Sequence, residues 1–385
     1  MKTADVIVVG LGAAGSASLY QLARRGVKAI GIDRFSPPHS MGSSHGETRI
    51  TRIGVGEGAA YPPLARRSHE IWRELEAETG ESLLLQCGML ALGQRGATMH
   101  GRSDFIGQTI EMARRFDVEH ELLDAAEIGR RYPQFELAGD EAGYFEPGAG
   151  LVYPERCVGA QLTLARRMGA EIVTNAVVTA IEPDGGGMRV ITATETFATA
   201  QVIVAAGAWN PGLIGAPLAR LSVQPQALHW FAAERPEDFS PDRFPVFIWT
   251  HGQGADDLFY GFPIPPGAPT QAVKVATEAY RSIASPEGFD RSVPEGPADA
   301  VWRQHVLGRL KGVSSTVVRS AACLYTMAPD GDFVIDRIAG RNMIVASACS
   351  GHGFKHSGAL GEILAEAAVS SDWAPPLGFS LDRFN

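Results

Sequence analysis

The 385-residue sequence is poor in cysteine. It has four thiols (Cys87, Cys157, Cys323 and Cys349), none in a CxxC pair or at zinc-ligand spacing from a histidine. That excludes a disulfide framework and gives no support for a structural zinc site. Positive charge is not in surplus either: 34 Lys+Arg against 43 Asp+Glu leave a net charge of −9. No basic run offsets this locally, so a nucleic-acid partner is not expected. Long apolar runs are also missing. Val6 to Val9 has only strand length and runs into a glycine turn, so it is neither a signal peptide nor a membrane span. The final residues, Asp382 to Asn385, carry no lipidation or peroxisomal signal. The expectation is a reduced, cytoplasmic protein with no membrane partner. Repeats and low-complexity tracts are absent, and the 44 glycines are scattered, which suits close backbone approaches more than a flexible linker.

What is present points first to a nucleotide. Asp5-Val6-Ile7-Val8-Val9 is a β-branched run suited to a strand buried on both faces. Gly10-Leu11-Gly12-Ala13-Ala14-Gly15 follows, and residues 16–25 place Leu19, Leu22 and Ala23 on one helical face. Gly26 ends that helix, and residues 27–32 form a strand closing on Asp33, eighteen positions after Gly15. Strand, glycine turn, helix and terminal acid together make a dinucleotide-binding fingerprint. Gly10 allows the tight turn, Gly12 lets the backbone approach a pyrophosphate, and Gly15 brings helix and strand together. The helix N-terminus presents free N–H groups to phosphate, and Asp33 can accept hydrogen bonds from ribose hydroxyls. A tight turn without a ligand is the plain alternative.

The remainder is not a serial α/β domain. A helix over residues 161–168 leads to strands at 171–173 and 177–181, and a buried strand at 200–206 ends in Gly207-Ala208-Trp209. Strands at 333–336 and 343–346 precede a final helix at 358–368. Between these lie a helix-and-strand stretch near 86–145 and Pro-rich aromatic strands at 244–249 and 258–263. Residues 234–243 read as an exposed polar loop. The fold class is α/β (α+β overall): a Rossmann-like dinucleotide-binding domain interleaved with a mixed-sheet substrate domain. The first comprises residues 1–85, 146–214 and 321–385; the second comprises 86–145 and 215–320.

Three further segments suggest chemistry. Residues 42–52 hold His45, Arg49 and Arg52 in a glycine-rich loop suited to an anionic ring or a carboxylate. Arg49 and Arg52 are three apart and would point alike on a helical turn; a solvated basic loop is the alternative. Cys323, alone in a strand-like run, reads in isolation as a buried inert thiol. In Ser350-Gly351-His352-Gly353-Phe354-Lys355-His356 small residues permit close approach and Lys355 offers a cation; an ordinary turn with a surface lysine is an equal alternative.

Taken in order, several motifs resemble a family. They are the opening fingerprint, Pro37-Pro38-His39, Gly42-Ser43 with His45-Gly46, Thr48-Arg49 and Arg52, Gly56-Glu57-Gly58 with Tyr61, Tyr260-Gly261-Phe262-Pro263, Cys323-Leu324-Tyr325-Thr326, and Ser350 to Lys355. This pattern is similar to that of the monomeric sarcosine oxidase and N-methyltryptophan oxidase family, within the D-amino-acid-oxidase-like flavoproteins. The resemblance covers essentially the whole chain. It implies that Gly10, Gly12, Gly15, Asp33, Ser43, Arg49, Val178, Gly207, Gly351, Gly353, Phe354 and Lys355 bind FAD, with Cys323 covalently attached to it. It implies a substrate carboxylate held by Arg52 and Lys355, His45 and Arg49 beside the flavin, and Lys274 assisting oxygen reduction. A desolvated cation there would stabilise a developing superoxide anion; without the resemblance, Lys274 reads as an exposed edge-strand residue. Tyr260, Glu278 and Trp249 are expected at the substrate, with Trp230 as a second aromatic wall.

The sequence departs from the pattern at Ser44, Val55, Ala227 and Glu278, where the family has a histidine, a tyrosine, an arginine and a histidine. These departures question sarcosine as the substrate more than the reaction type. The implied activity is FAD-dependent oxidation of a secondary, N-methyl α-amino acid to an imine, then hydrolysis, with O2 reduced to H2O2 by a monomer. Alternatives are an oxidase or dehydrogenase for a cyclic or primary amine of pipecolate type, and a flavin-binding subunit without turnover.

Overall fold

The computed structural model describes residues 1–94, 96, 97, 104–254, 256–278, 285–293 and 295–384. Strand β1 (Lys2–Val9), helix α1 (Ala13–Arg24) and strand β2 (Ala29–Ile32) form a parallel βαβ unit. Residues Val6 to Val9 are all buried, because β1 is an inner strand, parallel to β2 on one side and to Thr196–Val204 on the other. Beyond β2 lies Glu171–Val173; beyond Thr196–Val204 lies the meander Gly187–Thr192 and Val178–Asp184. Met343–Ser347 also pairs with Thr196–Val204 and carries Val334–Arg337. Apolar residues of α1 and of the helices Tyr61–Thr79, Pro154–Arg167 and Ser357–Val369 build the core on one face. Ile7, Val9, Val202 and Val204 pack with Met188, Phe197 and Leu218 on the other.

The second sheet is larger in span. Its order is Val313–Met327, Ser222–Ala233, Val273–Ala276, Leu258–Phe262, Val246–Thr250, Met89–Gly93, Ala142–Glu146 and Glu121–Asp124. Side chains alternate across a strand, so the two faces differ. Phe247, Trp249, Phe259, Val273 and Val275 join Phe231, Phe239 and Phe244 in an aromatic core on one side. Ile248, Tyr260 and Phe262 face a cavity on the other. A small sheet of β3 (Arg49–Thr51), Gly150–Val152 and Leu84–Leu85 completes the fold.

Three features differ from the sequence reading. Arg49 begins a strand, not a helical turn. Residues 234–243 are not simply an exposed loop: a short 3-10 turn, Pro236–Phe239, buries Phe239 against Phe244. The longest pairing in the molecule, Ser222–Ala233 with Val313–Met327, was not anticipated. Pro225 interrupts its hydrophobic pattern, but it lies outside the stretch of that strand that pairs with Val273–Ala276, where only one neighbour is present. The partner strand Val313–Met327 carries Cys323 and Tyr325 in the second sheet. No helix among the described residues is long and apolar enough to cross a membrane.

Candidate active site

A cleft of about 450 Å³ opens at the carboxyl ends of β1, β2 and Thr196–Val204, lined by Gly10, Gly12, Asp33, Ser43, Val178 and Gly207. Gly10 has φ +87°, and a Cβ there would lie 2.6 Å from the Ala205 carbonyl oxygen. A Cβ on Gly15 would lie 1.7 Å from the Gly10 oxygen, so helix and turn meet without room for a side chain. Asp33 is buried and accepts hydrogen bonds from the backbone N–H groups of Leu11 and Phe35, both at 2.7 Å. Ser44 Oγ accepts from Ala13 N at the first turn of α1 (3.0 Å). Three buried donors among the described residues at the cleft, Arg34 Nε, Trp209 Nε1 and Ser347 Oγ, have no protein partner. Unpaired buried donors are costly, and a dinucleotide, rich in acceptor oxygens and nitrogens, fits them.

Ser43, Ser44, Ala348 and Cys349 also line a second cavity of about 120 Å³, so the two share a wall. The loop after β2 forms one wall and is fixed from several sides. Arg49 donates to the carbonyls of Ser43 (2.8 Å) and Thr48 (2.9 Å). Lys274 Nζ donates to Gly46 O (2.9 Å) and Thr48 O (2.6 Å) and lies 3.8 Å from the Phe262 ring centroid. Burial, with Arg49 nearby, holds Lys274 well below the ordinary lysine range. Glu155 accepts from Gly46 N and Glu47 N. Glu146, itself bonded by Tyr144, accepts from Ile53 N (2.7 Å) and Gly54 N (3.0 Å).

The cavity has a cationic end. Arg52, 1% exposed, donates to Gly54 O and to Glu57 Oε2 at 2.9 Å. Lys355 Nζ donates to His352 O (3.0 Å) and stands 3.5 Å from the other Glu57 oxygen. One carboxylate thus bridges both cations. Burial lowers Lys355 to about 8, with Glu57 opposing the shift and Arg52 adding to it. Glu278, Tyr260 and Tyr325 also line the cavity. The two phenol oxygens are 3.4 Å apart, and burial raises both groups above the usual phenol range. Gly351 (φ +78°) lies against Tyr325 and Glu278, where a Cβ would approach them to 3.2 and 3.5 Å; Gly353 and Phe354 complete this side.

Cys323 and Tyr325 are two apart on one strand and therefore share a face. Cys323 is buried, and burial raises its thiol to about 11 while Arg49 pulls the other way. His45 is buried and lines neither cavity; its Nε2 is 3.1 Å from Gly42 O. Burial, then Arg49, lowers it to about 4, so it is neutral at pH 7. Trp249 is a correction. It pairs with Phe259 on the aromatic face of the second sheet, and its neighbour Ile248, directly opposite Tyr260, faces the cavity instead. Trp230 also lines neither cavity; its ring lies beneath Arg319 at 4.7 Å and 5.8 Å from Lys274 Nζ.

Glu57, Glu146, Glu155 and Tyr325 were not singled out from sequence. Glu57 and Tyr325 stood inside noted motifs, but nothing in their spacing shows which side chain turns inward. Glu146 and Glu155 lie about a hundred positions from the loop they hold, and no local signal marks them.

A dinucleotide cleft that shares a wall with a cation-lined cavity beneath a second sheet is the arrangement of an enzyme that sets a small substrate beside a nucleotide cofactor. The chain belongs to the FAD dependent oxidoreductase family, which matches residues 5–367. It is 36% identical to a monomeric sarcosine oxidase from Streptomyces avermitilis over 379 residues, covering 98% of this chain and 96% of that protein. It is 34% identical to an N-methyl-L-tryptophan oxidase from Yersinia pestis over 388 residues, covering 99% of each. Among solved structures, NikD, an amino acid oxidase essential for nikkomycin biosynthesis, superposes with TM-score 0.83 at 25% identity, covering 97% of this chain and 96% of that one. Glycine oxidase from Geobacillus kaustophilus shares the fold with TM-score 0.77 at 21% identity, covering 99% of each.

Proposed function

We propose that the protein is an FAD-dependent oxidase of a secondary, N-methyl α-amino acid, with Arg52 and Lys355 as the seat of the substrate carboxylate. One observation carries this reading: the two buried cations, 1% and 6% exposed, already share a carboxylate, that of Glu57. They do so in a cavity that shares a wall with the dinucleotide cleft. Arg supplies a planar fork and Lys a point charge, a combination suited to a carboxylate. FAD, held by the cleft around Gly10, Gly12, Asp33, Ser43 and Gly207, would supply the two-electron redox chemistry by which the carbon beside the substrate nitrogen is oxidised and O2 is reduced to H2O2. The chain's own part is to bind, orient and exclude water. Arg52 and Lys355 anchor one end of the substrate, while Tyr260, Ile248 and Phe262 wall the other, with Glu278 beside them. Water then hydrolyses the released imine. Lys274, held by the carbonyls of Gly46 and Thr48, places a buried amine beside the site, where positive charge stabilises the negative charge that develops as oxygen is reduced.

Cys323 would hold the flavin covalently through a thioether: an S–C bond would replace S–H and C–H, with two electrons and two protons passing to O2. Arg49 stabilises the thiolate that this requires, against burial. The two large sheets correspond to an FAD-binding and a substrate domain, and the protein acts as a cytoplasmic monomer. Mixing the purified enzyme anaerobically with N-methylated, cyclic and primary amino acids tests the reading. N-Methyl α-amino acids should bleach the flavin absorption band fastest; bleaching only by amines without a carboxylate would overturn it.

A further inference from the structure

The dinucleotide cleft is lined by the first sheet's own loops and, at its rim, by Glu287. Residues 285–291, which follow the second-sheet strand Val273–Ala276 in the chain, lie across its rim and touch it at three points. Glu287, which lines the cleft, accepts from Arg34 at 3.0 Å, and Arg34 lies over the Trp209 ring at 4.7 Å. Phe289 packs with Ala208, Val223 and Leu324, beside Trp209. Arg291 donates to the carbonyl of Met41 at 2.8 Å. The rim residues come from two separate lips, residues 34–41 after β2 and residues 208–209 after Thr196–Val204. The segment therefore bridges both. Arg34 and Trp209, the residues it braces, carry two of the unpartnered donors among the described residues that line the cleft.

We infer that residues 285–291 are a retaining strap for the nucleotide half of FAD, with Arg34–Glu287 as its electrostatic latch and Phe289 as its apolar anchor. Release of the cofactor then requires the strap to lift. The latch is partly exposed, 27% at Arg34 and 55% at Glu287, so it is weak and salt-sensitive, and the larger share of the hold rests on Phe289. The inference rests on FAD as the cofactor and is independent of the substrate.

The test uses holoenzyme in a Cys323→Ala background, so that a covalent bond does not mask release, and follows FAD dissociation by the gain in flavin fluorescence on dilution. Glu287→Gln should speed release about two- to fivefold, the range of an exposed ion pair. Phe289→Ala should speed it further. Raising NaCl should accelerate release in the parent but not in Glu287→Gln. The exposed position of Glu287 makes that variant safe for folding, and equal melting of the apoproteins checks this. Release at the parent rate in both variants, or equal salt acceleration with and without Glu287, would overturn the strap. Bleaching by N-methyl amino acids is read separately, so either proposal can fail alone.

Discussion

Replacing Arg52 by alanine tests the carboxylate seat most directly. In the structure Arg52 and Lys355 are bridged by Glu57, and Glu278 lines the same cavity. Removing Arg52 takes one positive charge and the planar fork from the seat. A charge-assisted hydrogen bond contributes about 1.5–3 kcal/mol, and 1.4 kcal/mol is a factor of ten. The half-saturating concentration of an N-methyl α-amino acid should therefore rise about 10- to 150-fold. The assay is the anaerobic rate of flavin reduction against substrate concentration, run in parallel with an N-methylalkylamine that has no carboxylate. The amine should be affected by less than about threefold, because uniform effects of a missing buried side chain reach both compounds equally. Arg52→Lys restores charge without the fork and should fall between. Taking one partner from a buried pair also costs about 3–5 kcal/mol of stability, so the variants are compared at a temperature where both retain flavin. Equal losses for the amino acid and the amine would refute the seat.

Acid-precipitated wild-type protein should stay yellow, whereas Cys323→Ala should release its flavin to the supernatant; colour lost equally from both would remove Cys323 as the link. Lys274→Met should slow reoxidation of the reduced enzyme by O2 at least tenfold and leave anaerobic reduction within about threefold, measured by stopped flow; slower reduction instead would be contrary to the assignment. Lys355 is protonated below about 8 and neutral above it. Affinity for a simple carboxylate such as propionate, read from the flavin spectrum, should therefore fall as pH rises through that value. Binding raises the lysine's proton affinity in turn, and Lys355→Met should bind weakly with no such dependence. Gly15→Ala forces a Cβ to within 1.7 Å of the Gly10 oxygen. Separating helix from turn should cost about 1–3 kcal/mol or more, seen as lower flavin content and a lower melting temperature.

The nucleotide end was legible because its physics is local. Gly10, Gly12, Gly15 and Asp33 lie within one βαβ unit, where turn, helix start and acid have fixed spacing. The catalytic end was legible only in part. Arg49 and Arg52 both line the cavity, although the helical geometry assumed for them is a strand followed by a loop. Trp249 was misplaced because an alternating strand does not reveal which parity faces the site; pairing with Phe259 settles that, and pairing is long-range. His45 stands in the right loop, but its ring turns to Gly42 and away from the cavity. Glu146 and Glu155, which hold that loop from behind, act across roughly a hundred residues of chain, beyond the reach of any local pattern.

The alternation in Val246–Thr250 and Leu258–Phe262 has an evolutionary corollary. Mutations at positions 248, 260 and 262 remodel the chamber, while 247, 249 and 259 remain interlocked in aromatic packing on the reverse side. Preference for one amine over another can thus drift by single exchanges on the inner rows, while the aromatic packing behind them stays in place.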